Sequence, residues 1–212
     1  MRQRWETGRV EAFSDGVFAI AITLLVLDLN VDPDAFGDLL DGLSDQWPSF
    51  VAYVTSFLTI GGVWLQHHSL FTSLRFVDSV MMRLNLVLLL VASFLPFPTE
   101  LAADAITYGR DAERVGIALY GITLLTITAL LAVMWRYAAR HDDLHHDGIS
   151  DQVAREAERR PLWLIAVYLA GTLAGALLAP RVAAFTFLAI AVISIVSARG
   201  DRDVTAADTP SG

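Results

Sequence analysis

Polar, titratable and aromatic side chains border or interrupt apolar stretches at three points of the sequence. Placing a polar group in hydrocarbon costs free energy, so such groups are informative about function. The residues are Arg9, Phe13, Ser14 and Asp15; Trp64, His67 and His68; and Arg83 and Asn85. One interpretation is a hydrogen-bonded network that packs helices together. A second is proton sensing or gating, since a histidine near a carboxylate titrates near neutral pH. A third is a metal site on the same imidazoles.

Long apolar segments must position these groups. Each segment has about 17–23 residues, the length that a ~30 Å hydrocarbon core requires. Six membrane-spanning helices are predicted, over residues 13–29, 47–68, 84–103, 115–137, 161–180 and 182–198. The fold class is therefore an all-α integral membrane protein. Residues 1–199 are predicted to form one transmembrane domain, and residues 200–212 a short, polar, disordered tail.

The composition excludes several functional classes. Hydrophobic residues make up 55% of the 212-residue chain, and the mean hydropathy is +0.52. The absence of cysteine excludes disulfides, thiolate metal sites and cysteine nucleophiles. A net charge of −8 without a basic stripe argues against nucleic-acid binding. No small-residue cleavage site follows the first apolar run, so we expect no cleaved signal peptide.

The basic residues predict the orientation in the membrane. All 15 are arginines, of which twelve lie on one side of the predicted spans and three on the other. Because arginine-rich connections stay in the cytoplasm, both termini are predicted to be cytoplasmic. The connection 31–46 is then external, acidic and expected to hold a short interfacial helix. The connection 140–160 is cytoplasmic, and the spacing of His141, His145 and His146 defines no metal geometry.

The first predicted helix has two distinct faces. At 100° per residue, Gly16, Ile20, Thr23 and Leu27 fall within about 60° of one another. Ser14 and Asp15 fall well off this narrow apolar stripe, which carries a single hydroxyl. Periodicity alone is compatible with ordinary helix packing, with the Thr23 hydroxyl bonded to its own preceding turn.

Four segments contain specific sequence motifs in addition to helical periodicity. Residues 9–15 fit RxxxFSD, and residues 16–29 continue as GVFAIAITLLVLDL. WLQHHSLF occupies residues 64–71, and FLPFPTE occupies residues 94–100. Together they resemble a prokaryotic member of the transmembrane-protein-175 potassium channel family. The resemblance covers about the first hundred residues, and the later spans match only in number and polarity.

The resemblance implies a homotetramer in the cell membrane, with the first helix of each six-helix subunit lining a central pore. Ile20 matches the family's hydrophobic gate, and Thr23 and Leu27 match the next pore-lining layers. Arg9, Ser14 and Asp15 are implied to brace this helix within the subunit. Potassium is the implied permeant ion, with no cofactor. A carbonyl selectivity filter of the TVGYG type does not occur in the sequence.

Two rival functions use the same polar cluster. A proton channel or proton-coupled transporter would employ Asp15, His67 and His68. A membrane enzyme or metal-binding protein would need companion carboxylates, which the sequence does not place beside the histidine pair at ligand spacing. Since no nucleophile with a paired base occurs in the apolar segments, we expect no catalysis. The expected partners are further copies of the chain, potassium ions and membrane lipid.

Overall fold

The computed structural model describes residues 4–30, 36–146, 161–177 and 186–192, and most of these residues are helical. A short 3₁₀ turn, Leu25–Asp28, prolongs the first helix, and another, Asp142–Leu144, follows the longest one. The elements are β1 (Arg4–Glu6), α1 (Thr7–Leu24), α2 (Leu39–Asp45), α3 (Trp47–Ser73), β2 (Phe76–Asp78), α4 (Ser79–Phe94), α5 (Pro96–Tyr108), α6 (Arg110–Ala139), α7 (Pro161–Leu177) and α8 (186–192).

Within the described residues, four helical stretches are long and apolar enough to cross a membrane. They are Thr7–Asp28, Trp47–Ser73, Ser79–Tyr108 and Arg110–Ala139, and they correspond to the first four predicted spans. The fifth predicted span coincides with α7 up to residue 177, and the sixth contains α8. The remaining residues of both spans, and the predicted tail at 200–212, lie outside the described part of the chain.

The third predicted span, 84–103, is confirmed as one helical crossing, Ser79–Tyr108, with a local irregularity inside it. The break lies at Leu95, between α4 and α5. Pro96 has no backbone N–H, and its ring clashes with the carbonyl four residues earlier in a regular helix. Leu95 nevertheless keeps helical angles, with φ −56° and ψ −34°. The interruption is therefore a local break within one membrane crossing.

A small antiparallel sheet ties the start of α1 to the connection between α3 and α4. Strand β1 pairs with β2, with Trp5 opposite Val77. The Thr7 hydroxyl donates a hydrogen bond of 3.1 Å to the Leu74 carbonyl. Asp78 ends β2 and caps α4, because its Oδ1 accepts hydrogen bonds from the first backbone N–H groups of that helix. The beginning of α1 is thus fixed by backbone pairing as well as by packing.

A short helix, α2, lies where the sequence predicts one between the first two spans. Its N-terminus is capped by Asp38, whose Oδ1 accepts from the Asp41 N–H at 3.4 Å. None of its residues is buried. Pro48 in the first turn of α3 then starts the second crossing, a position where its missing N–H costs nothing.

The helices pack around one core, in which α1 contacts α3 and α4, and α6 contacts α4, α5 and α7. In lipid this packing is stabilised by close fit and interhelical hydrogen bonds rather than by the hydrophobic effect. The Ser56 hydroxyl lies 2.8 Å from that of Thr99 and 3.0 Å from that of Tyr120, which joins α3, α5 and α6. A Cβ atom at Gly121 would lie 2.2 Å from the Thr172 hydroxyl, so glycine permits the close approach of α6 and α7.

Candidate functional site

A chain of buried polar side chains joins α1, α3 and α4. The Ser14 hydroxyl donates to the Val10 carbonyl at 2.9 Å, and the Asn85 amide donates to the Ser14 oxygen at 3.0 Å. His67 Nε2 lies 2.8 Å from Asn85 Oδ1, so Nε2 carries the proton in this contact. Ser14, His67 and Asn85 are all fully buried. Each side chain thus bonds to its neighbour along this chain, and the other ring nitrogen of His67, Nδ1, is buried without a hydrogen-bond partner among the described residues.

Aromatic rings enclose the imidazole at the end of this chain. The Phe71 ring stacks on His67 at 4.2 Å between centroids, and the Phe18 ring meets it edge-on at 5.3 Å. These rings, together with the Asn85 amide, hold the imidazole in the packing between α1, α3 and α4. His67 therefore has the environment of a packing residue rather than that of an exposed proton carrier.

The Asp15 carboxylate binds Trp64, another member of the polar groups singled out in the sequence. The Trp64 indole N–H donates to Asp15 Oδ1 at 2.8 Å. One turn away, His68 Nδ1 lies 2.6 Å from Glu11 Oε1, a close contact that does not have the geometry of a hydrogen bond. The His68 and Trp64 rings stack at 5.7 Å. Two acidic residues of α1 thus face two ring side chains of α3.

Sequence reasoning missed Glu11, although the sequence contains a signal for it. Glu11 and Asp15 are four residues apart on α1, and Trp64 and His68 are four apart on α3. Residues at this spacing share a helix face. Because the two helices run in opposite directions, a contact between Asp15 and Trp64 brings Glu11 to His68.

The remaining members of the predicted motif network lie outside the buried cluster. The side chains of Arg9 and Arg83 are exposed. The Phe13 side chain is 57% exposed. The structure therefore brings together six of the nine residues grouped by the sequence, namely Ser14, Asp15, Trp64, His67, His68 and Asn85.

The predicted pore-lining residues lie on the opposite, exposed face of the same helix. Ile20 is 61% exposed and Leu27 is 64% exposed. Thr23 is also exposed, and its hydroxyl donates to the Ile20 carbonyl at 2.9 Å. Because the hydroxyl proton is used within the helix, the Thr23 oxygen keeps its lone pairs for other donors or for a cation.

The histidines that follow α6 make separate contacts. His141 stacks on Tyr137 at 4.2 Å, and His145 is buried against backbone carbonyls. His146 is exposed. Among the described residues, no three metal-ligating side chains are grouped so that they could hold an ion.

Several known channel proteins are similar to this chain in sequence. The family model described as "Endosomal/lysosomal potassium channel TMEM175" matches residues 9–96. A Streptomyces collinus protein named as a potassium channel is 42% identical over 73% of this chain and 75% of its own length. A Chamaesiphon minutus protein, also named as a potassium channel, is 40% identical over 66% of this chain and 69% of its own. The human protein named endosomal/lysosomal proton channel TMEM175 is 40% identical, but this chain spans only 28% of its length.

Solved structures match over most of the chain. The crystal structure of a lysosomal potassium-selective channel TMEM175 homolog from Chamaesiphon minutus superposes with a TM-score of 0.73 and 31% identity, covering 91% of this chain and 97% of that one. The fold is also shared with a TMEM175 potassium channel variant at a TM-score of 0.62 and 23% identity, with 92% and 93% covered. This chain is therefore a multi-pass membrane protein that belongs to the TMEM175 family of ion channels, and it is not an enzyme.

Proposed function

We propose that this chain is one subunit of a homotetrameric, potassium-selective channel of the cell membrane, with six membrane-spanning helices per subunit. The observation that carries the proposal is the exposed stripe of Ile20, Thr23 and Leu27 on a helix whose other face is buried. One such stripe cannot enclose a path alone, so several copies must contribute it. The potassium channel names of the bacterial relatives support potassium as the permeant ion.

Ile20 is proposed to form the narrowest point of the pore. Four isoleucine side chains around an axis would leave an apolar gap from which water is expelled, and an ion crosses such a gap only by losing hydration. Thr23 lies about one turn further along and offers a hydroxyl oxygen. Leu27 forms the next layer. In this proposal the channel needs no cofactor, and potassium acts only as the permeant ion.

The proposed orientation places both termini in the cytoplasm and α2 outside. The arginine asymmetry supports it, with twelve residues on one side and three on the other. An epitope tag inserted at Asp38 should be cleaved by external protease in intact cells. A tag there that stays protected, while a terminal tag is cleaved, would reverse the assignment.

A proton channel is the second candidate function. The contacts of Asp15 with Trp64 and of Glu11 with His68 place three titratable groups, Asp15, Glu11 and His68, where α1 packs on α3. The human relative is named as a proton channel, which supports this second candidate. The same cluster also has a purely structural explanation, since it joins α1 to α3.

Reconstituted flux separates the two candidates. Purified protein in liposomes should carry potassium down its gradient faster than sodium, without obligatory proton exchange, whereas protein-free liposomes should not. Proton flux without potassium flux would favour the second candidate. Equal potassium and sodium flux would contradict selectivity, and the absence of all ion flux would contradict both candidates.

A further inference from the structure

A small cavity lies between four helices of the subunit. It is bounded by α3, α6, α7 and α8, and its apolar lining includes Leu58, Leu131 and Ala191. The space open to the centre of a water molecule is about 20 Å³. By this measure roughly 10–15 Å³ is enough to hold one water. We refer to this space as the α3–α6–α7 cavity.

A tyrosine on α7 brings an unbonded hydroxyl to this cavity. Tyr168 lines it and is only 6% exposed. Its hydroxyl makes no hydrogen bond to any residue that the structure describes. A tyrosine hydroxyl usually finds a partner when it is buried, and the hydrocarbon around the helices offers none. The Tyr168 O–H is therefore a buried donor that needs an acceptor inside the cavity.

The three other polar residues of the lining offer acceptor oxygens. The Thr59 and Thr128 hydroxyls each donate to the carbonyl four residues earlier at 2.8 Å. Because these protons are used within the helices, both hydroxyl oxygens keep lone pairs. The Gln66 amide N–H donates to the Gly62 carbonyl at 3.4 Å, which leaves its Oε1 as an acceptor. The cavity thus combines one free donor on α7 with acceptors on α3 and α6.

A second cavity in the bundle provides a comparison. It is lined mainly by apolar side chains of α3, α5 and α6, together with Tyr120 and Phe187. Tyr120 is 5% exposed, almost the same as Tyr168. Its hydroxyl, however, lies 3.0 Å from the Ser56 hydroxyl. The Phe187 ring packs on both tyrosines, with centroids 5.5 Å from Tyr120 and 6.2 Å from Tyr168. Two equally buried tyrosines therefore differ in whether the described protein supplies a partner.

We propose that the α3–α6–α7 cavity binds one ordered water molecule, which accepts a hydrogen bond from the Tyr168 hydroxyl and donates to acceptor oxygens of α3 and α6. Water both accepts and donates, as this set of groups requires. An apolar occupant would leave the phenol unbonded, and the described lining has no carboxylate to favour a cation. The water joins α7 to the rest of the subunit, whichever ion the protein conducts.

Radiolytic oxidation of the full-length protein in lipid nanodiscs tests the site without any variant. X-rays convert water to hydroxyl radicals, and a radical formed from a bound water oxidises the reactive side chain beside it. With a scavenger that removes radicals from bulk solution, Tyr168 should be oxidised several-fold faster than Tyr120, although both are buried. Oxidation of Tyr168 no faster than that of Tyr120 would overturn the proposal.

A cavity-filling variant tests the position of the water. Thr128→Leu puts apolar atoms in place of an acceptor and should lower Tyr168 oxidation to the Tyr120 rate. Thr126→Leu is the matched control, because Thr126 lies on the exposed side of α6 with the same hydrogen bond to its own helix. Undiminished Tyr168 oxidation in folded Thr128→Leu protein would overturn the proposal. If Thr128→Leu does not fold, the wild-type comparison of the two tyrosines decides alone.

Discussion

The two faces of α1 differ in whether their side chains contact other helices of the chain. One face buries Ser14, Phe18, Ala21 and Leu25 against α3 and α4, and its polar member belongs to a hydrogen-bonded chain. The other face exposes Ile20 and its neighbours along the helix. Both faces are predominantly apolar, so hydropathy alone does not distinguish them. Within the part of the chain that the structure describes, the buried face packs on other helices and the Ile20 face is left exposed.

Because of this difference, we expect mutations on the two faces to have different effects. Changes on the buried face leave partners on α3 or α4 unsatisfied and should act on folding. Changes on the exposed face leave the hydrogen bonds to α3 and α4 intact. They should alter ion conduction rather than folding. Single substitutions on the two faces should therefore separate defects of conduction from defects of folding.

Ile20→Asn should raise cation flux by about tenfold or more, and it should weaken discrimination between potassium and sodium. Hydrating an apolar ring lowers the barrier, and about 1.4 kcal/mol corresponds to a factor of ten in rate. Reconstituted flux or single-channel current measures both quantities. Leu90→Asn on α4 is a suitable control, because Leu90 is similarly exposed, at 68%. Ala21 is unsuitable, since it is fully buried. Unchanged current and selectivity in Ile20→Asn would remove α1 from the conduction path.

Asn85→Leu should destabilise the protein by about 2–4 kcal/mol, because each buried polar group left without a partner costs about 1–3 kcal/mol. Both Ser14 and His67 lose a partner in this variant. Thermal unfolding followed by size-exclusion chromatography measures the loss. Ser93→Ala on the same helix is the control, because the Ser93 hydroxyl is exposed and bonds only within its own turn. Equal melting of the two variants would mean that the buried chain does not stabilise the fold.

Asp15→Ala should lower the yield of assembled protein more than it alters ion selectivity. The Trp64 indole N–H loses its acceptor, at a cost of about 1 kcal/mol or more. Asp15→Asn keeps an acceptor oxygen and should retain most of the yield. Normal assembly of Asp15→Ala combined with altered ion preference would place Asp15 on the conduction path and contradict the division between the two faces.

The smallest effect is expected for Tyr137→Phe, which removes a hydrogen bond of 2.5 Å to Asp78 Oδ2. Burial on its own would raise the pKa of Asp78, but hydrogen bonds from the Met81 N–H, the Tyr137 hydroxyl and the Val80 N–H, with nearby His141, hold it below its ordinary value. Such a carboxylate stabilises the fold above its unfolded pKa, and that stabilisation is lost as the pH falls through the folded pKa.

Tyr137→Phe should therefore raise the pKa of Asp78 and move acid destabilisation to higher pH. The loss at neutral pH should be about 1 kcal/mol, the contribution of one hydrogen bond. Melting temperatures between pH 7 and pH 3 measure the shift. Tyr108→Phe, at a tyrosine that is 83% exposed, should leave the curve unchanged. If the melting temperatures of wild type and Tyr137→Phe fall identically between pH 7 and pH 3, this hydrogen bond does not stabilise the carboxylate.

Part of the structure follows from local sequence rules. Hydropathy over about 20 residues predicts a membrane crossing without knowledge of its neighbours, and the first four predicted spans correspond to helices in the structure. The helical period separates Ser14 from Ile20 on α1, because both lie on one rigid helix. The break at Leu95 was also predictable in principle, since the responsible proline is adjacent in the sequence.

The tertiary structure decided which side chains meet. Asp15 meets Trp64, and Ser14 meets Asn85, because three helices pack at one particular register, and no local rule fixes the register between helices far apart in sequence. His145 lies in the largely polar segment HDDLHHD, which does not predict its burial, and it is buried where the turn after α6 pairs with the α3–α4 connection. Helix formation depends on neighbours within a few residues, whereas partner choice depends on contacts between residues 49–72 positions apart.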